Sequence, residues 1–100
     1  MYSVTSGAVK TAINAINHQG VKYGNYDCNT MGEGLCLIDG DVLNSPYKQG
    51  IVSTNIMYLF TVAVNPDVNY RFQFCLTYSS NVLCVRNKTD SGWSPWTKLN

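Results

Sequence analysis

Charge is scarce in this sequence. Of its 100 residues only 13% are Asp, Glu, Lys or Arg, and the formal net charge is +1. That leaves no basic field for nucleic acid and no acidic field for cations. Long apolar runs are missing too. The longest mainly apolar stretch, Ile56 to Val64 with Thr61 inside it, is strand-length, well short of the roughly 20 residues of a membrane span. Thr, Ser, Lys and Asn interrupt the first apolar residues, so no signal-peptide core is visible. The chain reads as soluble, made in a cytoplasm, with no membrane insertion expected. Histidine occurs once, at His18, and no two of the four cysteines form a C-x-x-C pair. The spacing therefore does not match a zinc site. Asp39-Gly40-Asp41 begins like a calcium loop, but Leu43 and Ser45 do not continue it, so it reads as a plain turn. No nucleophile stands with a positioned base, no carboxylate pair flanks an aromatic platform, and no glycine-rich loop cradles a phosphate. The expectation is a protein without catalysis, metal or cofactor.

What the chain does have is apolar and aromatic surface: 45% of residues are hydrophobic and seven are tyrosine. Asn, Ser, Thr and Gln must then supply most of the polar surface. Such a balance suits a β-rich binding or structural protein that hides further surface in an oligomer. The length fits one domain with a modest core.

The C-terminal third organises the rest. Tyr70, Phe72, Phe74, Leu76 and Tyr78 alternate with Arg71, Gln73, Cys75 and Thr77, the period-2 pattern of a half-buried strand. Ser79, Ser80 and Asn81 form a turn, and Val82 to Arg86 resumes as a second strand, giving an antiparallel hairpin. A polar loop over 87–92 leads to Trp93-Ser94-Pro95-Trp96, a rigid aromatic end-piece followed by Thr97-Lys98-Leu99. The earlier segments are expected to pack as layers on this hairpin and its tryptophans. A turn centred on Ser79-Ser80 sets Cys75 opposite Cys84. A cross-strand bridge is geometrically conceivable there, but free cysteines acting as small core hydrophobes are the preferred reading of all four.

Upstream, Tyr2 to Asn17 is the one helix expected. Thr5 or Ser6 caps it, and Val9, Ile13 and Ile16 follow a 3-4 spacing that makes a seam. Three turns are too few to be stable alone. The helix either packs on its own domain or ends a longer self-associating bundle. His18-Gln19-Gly20 is expected to close it, with Gly20 just past the cap. The organisation is thus a helical segment over 1–20, then a β domain over 21–100. Strands are predicted at Leu35–Ile38, Gly50–Thr54 and Met57–Val64, with turns at Gly24-Asn25, Gly32–Gly34, Asn44–Pro46 and Asn65–Asp67. The fold class expected is mainly β (α+β), with about five strands, all antiparallel.

The order of these signals is itself a pattern: Asp27-x-Asn29-Thr30, Gly34 opening a strand, Asn44-x-Pro46, Gly50-Ile51-Val52, Gln73, Val85-Arg86, and Trp93-x-x-Trp96 with Leu99. It resembles the pyocin knob domain of the tail fibres of bacteriophages and R-type pyocins. Val4-Thr5-Ser6-x-Ala8-Val9 is similar to a segment that commonly precedes such knobs, so the resemblance covers residues 4–99. Cys36 and Cys84 stand where the family often has tyrosine. The resemblance implies a parallel homotrimer in a virion, held partly through Val9, Ile13 and Ile16. It also implies attachment to a bacterial surface glycan or outer-surface protein. A chain ending four residues past Trp96 fits a terminal position on the fibre. Asp27, Asn29, Gly34, Pro46, Arg86, Trp93 and Trp96 are expected to keep the fold, the two tryptophans as core anchors. Trp93, Trp96 and Tyr47 are also candidate sugar contacts, being aromatic with a polar tip. Two other readings stand beside it: a carbohydrate-binding module of a larger glycan-active protein, and a small capsid- or tail-assembly protein with no receptor.

Overall fold

A computed structural model describes residues 18–63 and 70–100. The helix read over 2–17, with Val9, Ile13 and Ile16, lies outside these residues, as does the turn Asn65–Asp67. The described chain is built on one seven-stranded sheet. Its strands are β1 (His18–Tyr23), β2 (Gly34–Asp39), β3 (Ile56–Ala63), β4 (Arg71–Thr77), β5 (Leu83–Thr89), β6 (Gly92–Trp93) and β7 (Thr97–Lys98). They lie in the order β1-β2-β3-β4-β5-β6, with β7 also paired to β5. The β-rich reading holds, and the central hairpin falls in the expected register, with Cys75 opposite Cys84.

Three local expectations are corrected. His18-Gln19-Gly20 does not end a helix but opens β1, so the sheet starts before residue 21. Gly20 uses its positive φ of 70° where the β1–β2 register slips between His18 and Val21. A residue that tolerates left-handed backbone serves a bulge as readily as a helix end. Nor are all pairings antiparallel: β1 runs parallel to β2. The connection between them, residues 24–33, is long enough to return the chain to the same end of the sheet. Finally, Gly50–Thr54 is no strand. Ser45 caps a four-residue helix, α1 (Pro46–Gln49), its Oγ accepting from the Lys48 N–H at 3.2 Å. Pro46 occupies the first turn, and Gly50 at φ 87° closes the helix by donating to the Pro46 and Tyr47 carbonyls.

Cross-strand register sorts the sheet into rows. One face carries Ile38, Met57 and Thr77; then Cys36, Leu59, Cys75 and Cys84; then Gly34, Thr61, Gln73 and Arg86. All of these are buried. They lie under a layer of non-strand chain that adds Cys28, Met31, Val42 and Trp96 to the core. The opposite face carries Leu37, Tyr58, Leu76 and Leu83, then Leu35, Phe60, Phe74 and Val85. All of these are half-buried or exposed. The packed layer therefore covers the Gln73–Cys75–Thr77 side of the hairpin, not its aromatic side. All four cysteines are free and buried. Burial pushes the Cys28 thiol up to about 12 and raises Cys36, Cys75 and Cys84 as well.

Candidate functional site

The C-terminal segment Trp93-Ser94-Pro95-Trp96 folds back along β5 toward α1. Ser94 N–H donates to the Asn87 carbonyl at 2.8 Å, and β6 and β7 pair with β5 on either side of Pro95. Between this segment, α1 and the turn after Asp27 lies an open cavity of about 670 Å³. Trp93, Arg86, Asn29, Asn44, Lys48 and Gln49 are among the residues that line it.

Trp96 is the anchor of this region. Only 4% of it is exposed, and its indole N–H donates to the Asn44 carbonyl at 2.8 Å. Gln49 clamps its backbone from both sides: the Trp96 N–H donates to Oε1 at 2.7 Å, and Nε2 donates to the Trp96 carbonyl at 2.9 Å. A buried tryptophan whose polar edge is paired is a core residue first. Trp93 is different. It is half-buried on the two-residue strand β6, so one ring face meets protein while the rest of the side chain borders the cavity.

Arg86 lies against both indoles. Its guanidinium carbon is 4.0 Å from the Trp93 ring centre and 4.6 Å from that of Trp96, within cation–π range. It is 5% exposed. Its Nε donates to Gln73 Oε1 at 2.8 Å, and Gln73 Nε2 donates in turn to the Cys28 carbonyl at 2.7 Å and to Thr61 Oγ1 at 3.1 Å. No carboxylate stands within ion-pair distance of Arg86 among the described residues. Burial lowers its pKa to about 10, against an upward pull from the nearby Cys28, Cys75 and Asp27. Arg86 Nη2 and Asn29 Oδ1 are both buried without a hydrogen-bond partner among the described residues.

The remaining motif residues hold the walls of the cavity. Asp27 caps the 3-10 turn Cys28–Thr30, its Oδ1 accepting from Asn29 N–H and from Asn44 Nδ2, each at 2.8 Å. That ties the two wall loops together and holds Asn44 in a left-handed conformation at φ 57°. Gly34, at φ 125°, starts β2 in the buried row of Gln73 and Arg86. A side chain there meets a strained backbone. Pro46 presets the first turn of α1. Tyr47, by contrast, does not line the cavity; it packs against the core from α1. The three candidate sugar contacts thus separate into an open platform (Trp93), a buried anchor (Trp96) and a packing residue (Tyr47).

Lys48 and Gln49 joined the site without being singled out in the sequence, and Asn44 stood there only in the Asn44-x-Pro46 spacing. That stretch was read as the opening of a loop, so the helix that Ser45 caps, and the faces it presents, were not visible. Among the described residues, no imidazole or carboxylate lines the cavity and no group of three metal-binding side chains occurs. His18 is exposed on the edge strand β1. Asp41 is paired only with Lys48, at 3.9 Å on the surface. No described helix is long and apolar enough to cross a membrane. No family model, curated protein or solved structure matches the chain.

Proposed function

We propose that this chain is a non-enzymatic knob of a phage-type tail fibre, a homotrimeric module of the virion that attaches the particle to a bacterial surface by holding a saccharide in the Trp93–Arg86 cleft. The order of motifs from Asp27 to Trp96 supports the family reading. The observation that carries the site is the half-buried indole of Trp93 laid against a guanidinium that has no carboxylate partner among the described residues, at the edge of a polar cavity. An aromatic face suits the apolar face of a sugar ring, while hydroxyl oxygens accept from cations and hydroxyl hydrogens donate to amide oxygens such as that of Asn29. Arg86 and Lys48 supply positive charge with no carboxylate in the lining. The cleft therefore favours saccharides that carry an acidic substituent over basic ones. Trp96, Asp27, Gly34 and Pro46 serve the fold rather than the ligand.

A glycan array combined with binding to whole bacterial cells tests this. Wild-type protein should retain acidic surface saccharides. Trp93→Ala should weaken retention about tenfold, equivalent to about 1.4 kcal/mol, with an unchanged circular dichroism spectrum. Binding that survives Trp93→Ala intact would move the ligand elsewhere. A carbohydrate-binding module of a larger glycan-active protein is the second reading, favoured by the same cleft. It predicts equal saccharide binding from a monomer, so oligomeric state separates the two.

A further inference from the structure

The sheet is apolar on both faces, unlike an ordinary half-solvated one. Antiparallel sheets with one wet face normally bury their large apolar side chains and show polar ones to water. Here the covered face takes Ile38, Met57 and Leu59 together with Thr61, Gln73, Thr77 and Arg86, all buried. The uncovered face takes large apolar residues as well, in continuous cross-strand rows. Val21, Leu37, Tyr58, Leu76 and Leu83 form one row, running from β1 to β5. Leu35, Phe60, Phe74 and Val85 form the next, and Val62 with Phe72 begins a third. No Asp, Glu, Lys or Arg falls in these rows; His18 pairs with Leu35 at the β1 end, and Asp39 stands at the margin. Leu35, Leu76 and Tyr58 are still 36%, 38% and 42% exposed. Single exposed apolar residues are ordinary, but a charge-free face of this continuity marks an interaction surface.

We infer that copies of this chain pack against one another through this outer sheet face. The face is the inference; the count of three rests on the proposed function. Composition supports a second copy as the occupant. Interface cores are enriched in Tyr, Phe and other large apolar groups and depleted of charge, which describes these rows. With no charge to complement, the face offers nothing to a charged foreign partner, whereas an identical neutral face fits it equally well.

Size argues against cover by the chain's own N-terminal segment alone. Five strands at about 4.8 Å spacing make a face about 19 Å across. A single helix, the form expected from the sequence for residues 2–17, is about 10 Å wide and would cover only half of it. The equally wide faces of neighbouring copies, turned toward one another, are broad enough to cover it fully. The plan area is then roughly 400 Å² per copy before side-chain relief is counted, the central part of a standard interface of about 800 Å² per partner. The aromatic groups are also already paired on this face. Phe72 and Phe74 meet edge to face at 5.5 Å, and the rings of Tyr58 and Tyr78 lie 6.5 Å apart. Such side chains lose little freedom when a partner arrives.

Light scattering and sedimentation on the full chain test the inference, with Phe74→Asp and Leu35→Asp on the outer rows and Ile13→Asp on the helical seam. Wild-type protein should give about three chain masses. Either outer-row variant should raise the dissociation constant at least a hundredfold, giving one chain mass at micromolar concentration. The variants should keep the circular dichroism spectrum and keep binding a soluble acidic monosaccharide. A dimer dissolved by Phe74→Asp would uphold the face and overturn only the count. A wild-type oligomer that survives both outer-row variants but falls apart with Ile13→Asp would overturn the inference. So would a wild-type monomer in which covalent labelling finds Tyr58 protected, since the face would then be covered from within. Loss of saccharide binding alone, with the oligomer intact, would count against the cleft and leave this face standing.

Discussion

Two neighbours on β4 behave in opposite ways. Gln73 is fully buried and hydrogen-bonded on three sides, to Arg86, Cys28 and Thr61. Phe74, beside it, points to the other face and remains partly in water. Extended along the register, this difference separates two surfaces with different jobs. The inner face holds Ile38, Met57 and Leu59 together with a polar network, four thiols and a tryptophan anchor, and it shapes a cleft. The outer face holds large apolar side chains and shapes nothing by itself. The inner face is satisfied within one chain, and the outer is the face on which the proposed packing of copies rests. The lesson is that hydrophobicity alone does not point inward in a small sheet domain. What points inward is the set of groups that can be satisfied there, and a buried network is stable only when its members are paired.

The comparison breaks most completely at Trp96. It joins the C-terminal segment to α1 and closes the inner layer over the sheet through Asn44 and Gln49. Trp96→Ala should cost about 3–5 kcal/mol, a large share of the stability of a domain of this size. Urea denaturation should show unfolding at or near zero denaturant, or insoluble protein. A Trp96→Ala chain that stays cooperative and loses only saccharide retention would make Trp96 a ligand residue instead.

Strand positions were legible in the sequence because alternation reports a strand directly, and Tyr70 to Tyr78 alternates without a break. Which side of that strand packs inward was not legible. Period-2 patterning separates two faces but labels neither, and here the larger side chains lie on the side that the inner layer does not cover. The parallel edge strand was hidden for a different reason. His18-Gln19-Gly20 carries a glycine that suits a helix terminus and a bulge equally, and pairing with Leu35 and Leu37 is a non-local choice. The cleft was half legible. Trp93, Trp96, Asp27 and Asn29 stood out as motif residues, whereas Lys48 and Gln49 reach it only because Ser45 and Gly50 bound a four-residue helix. Sequence spacing did not show that the tryptophans enclose Arg86.

A smaller effect sharpens the contrast between neighbours. Gln73→Leu keeps the approximate shape but leaves Arg86 Nε and the Cys28 carbonyl unpaired in the interior. The cost should be about 2–4 kcal/mol, the upper part coming from the charged donor. Phe74→Ser, one residue on, should leave the stability of an isolated chain within about 1 kcal/mol while weakening the oligomer. Urea midpoints measured at concentrations below and above the assembly range separate the two effects. Equal costs at both positions would mean that the faces are not functionally distinct.

The smallest effect tests whether the inner thiols are as secluded as their zero exposure implies. Cys28 has a folded pKa of about 12 against an ordinary value of 9.0, the rise coming chiefly from burial. Between these values the folded chain holds a proton that the unfolded chain releases. Stability linked to this group is therefore intact below pH 9 and falls as pH climbs toward 12. From pH 8 to 9.5 the loss is about 0.8 kcal/mol for one such thiol. Arg86, held at about 10, acts in the opposite direction, since above that pH the unfolded chain binds the extra proton; its share at pH 9.5 is small. Cys28→Ala should remove about 0.8 kcal/mol of the decline measured by urea denaturation across this window, whatever it does to stability at pH 8. If wild-type and Cys28→Ala decline in parallel, the Cys28 thiol ionises in the folded chain as readily as in the unfolded one, and the inner face is not sealed there.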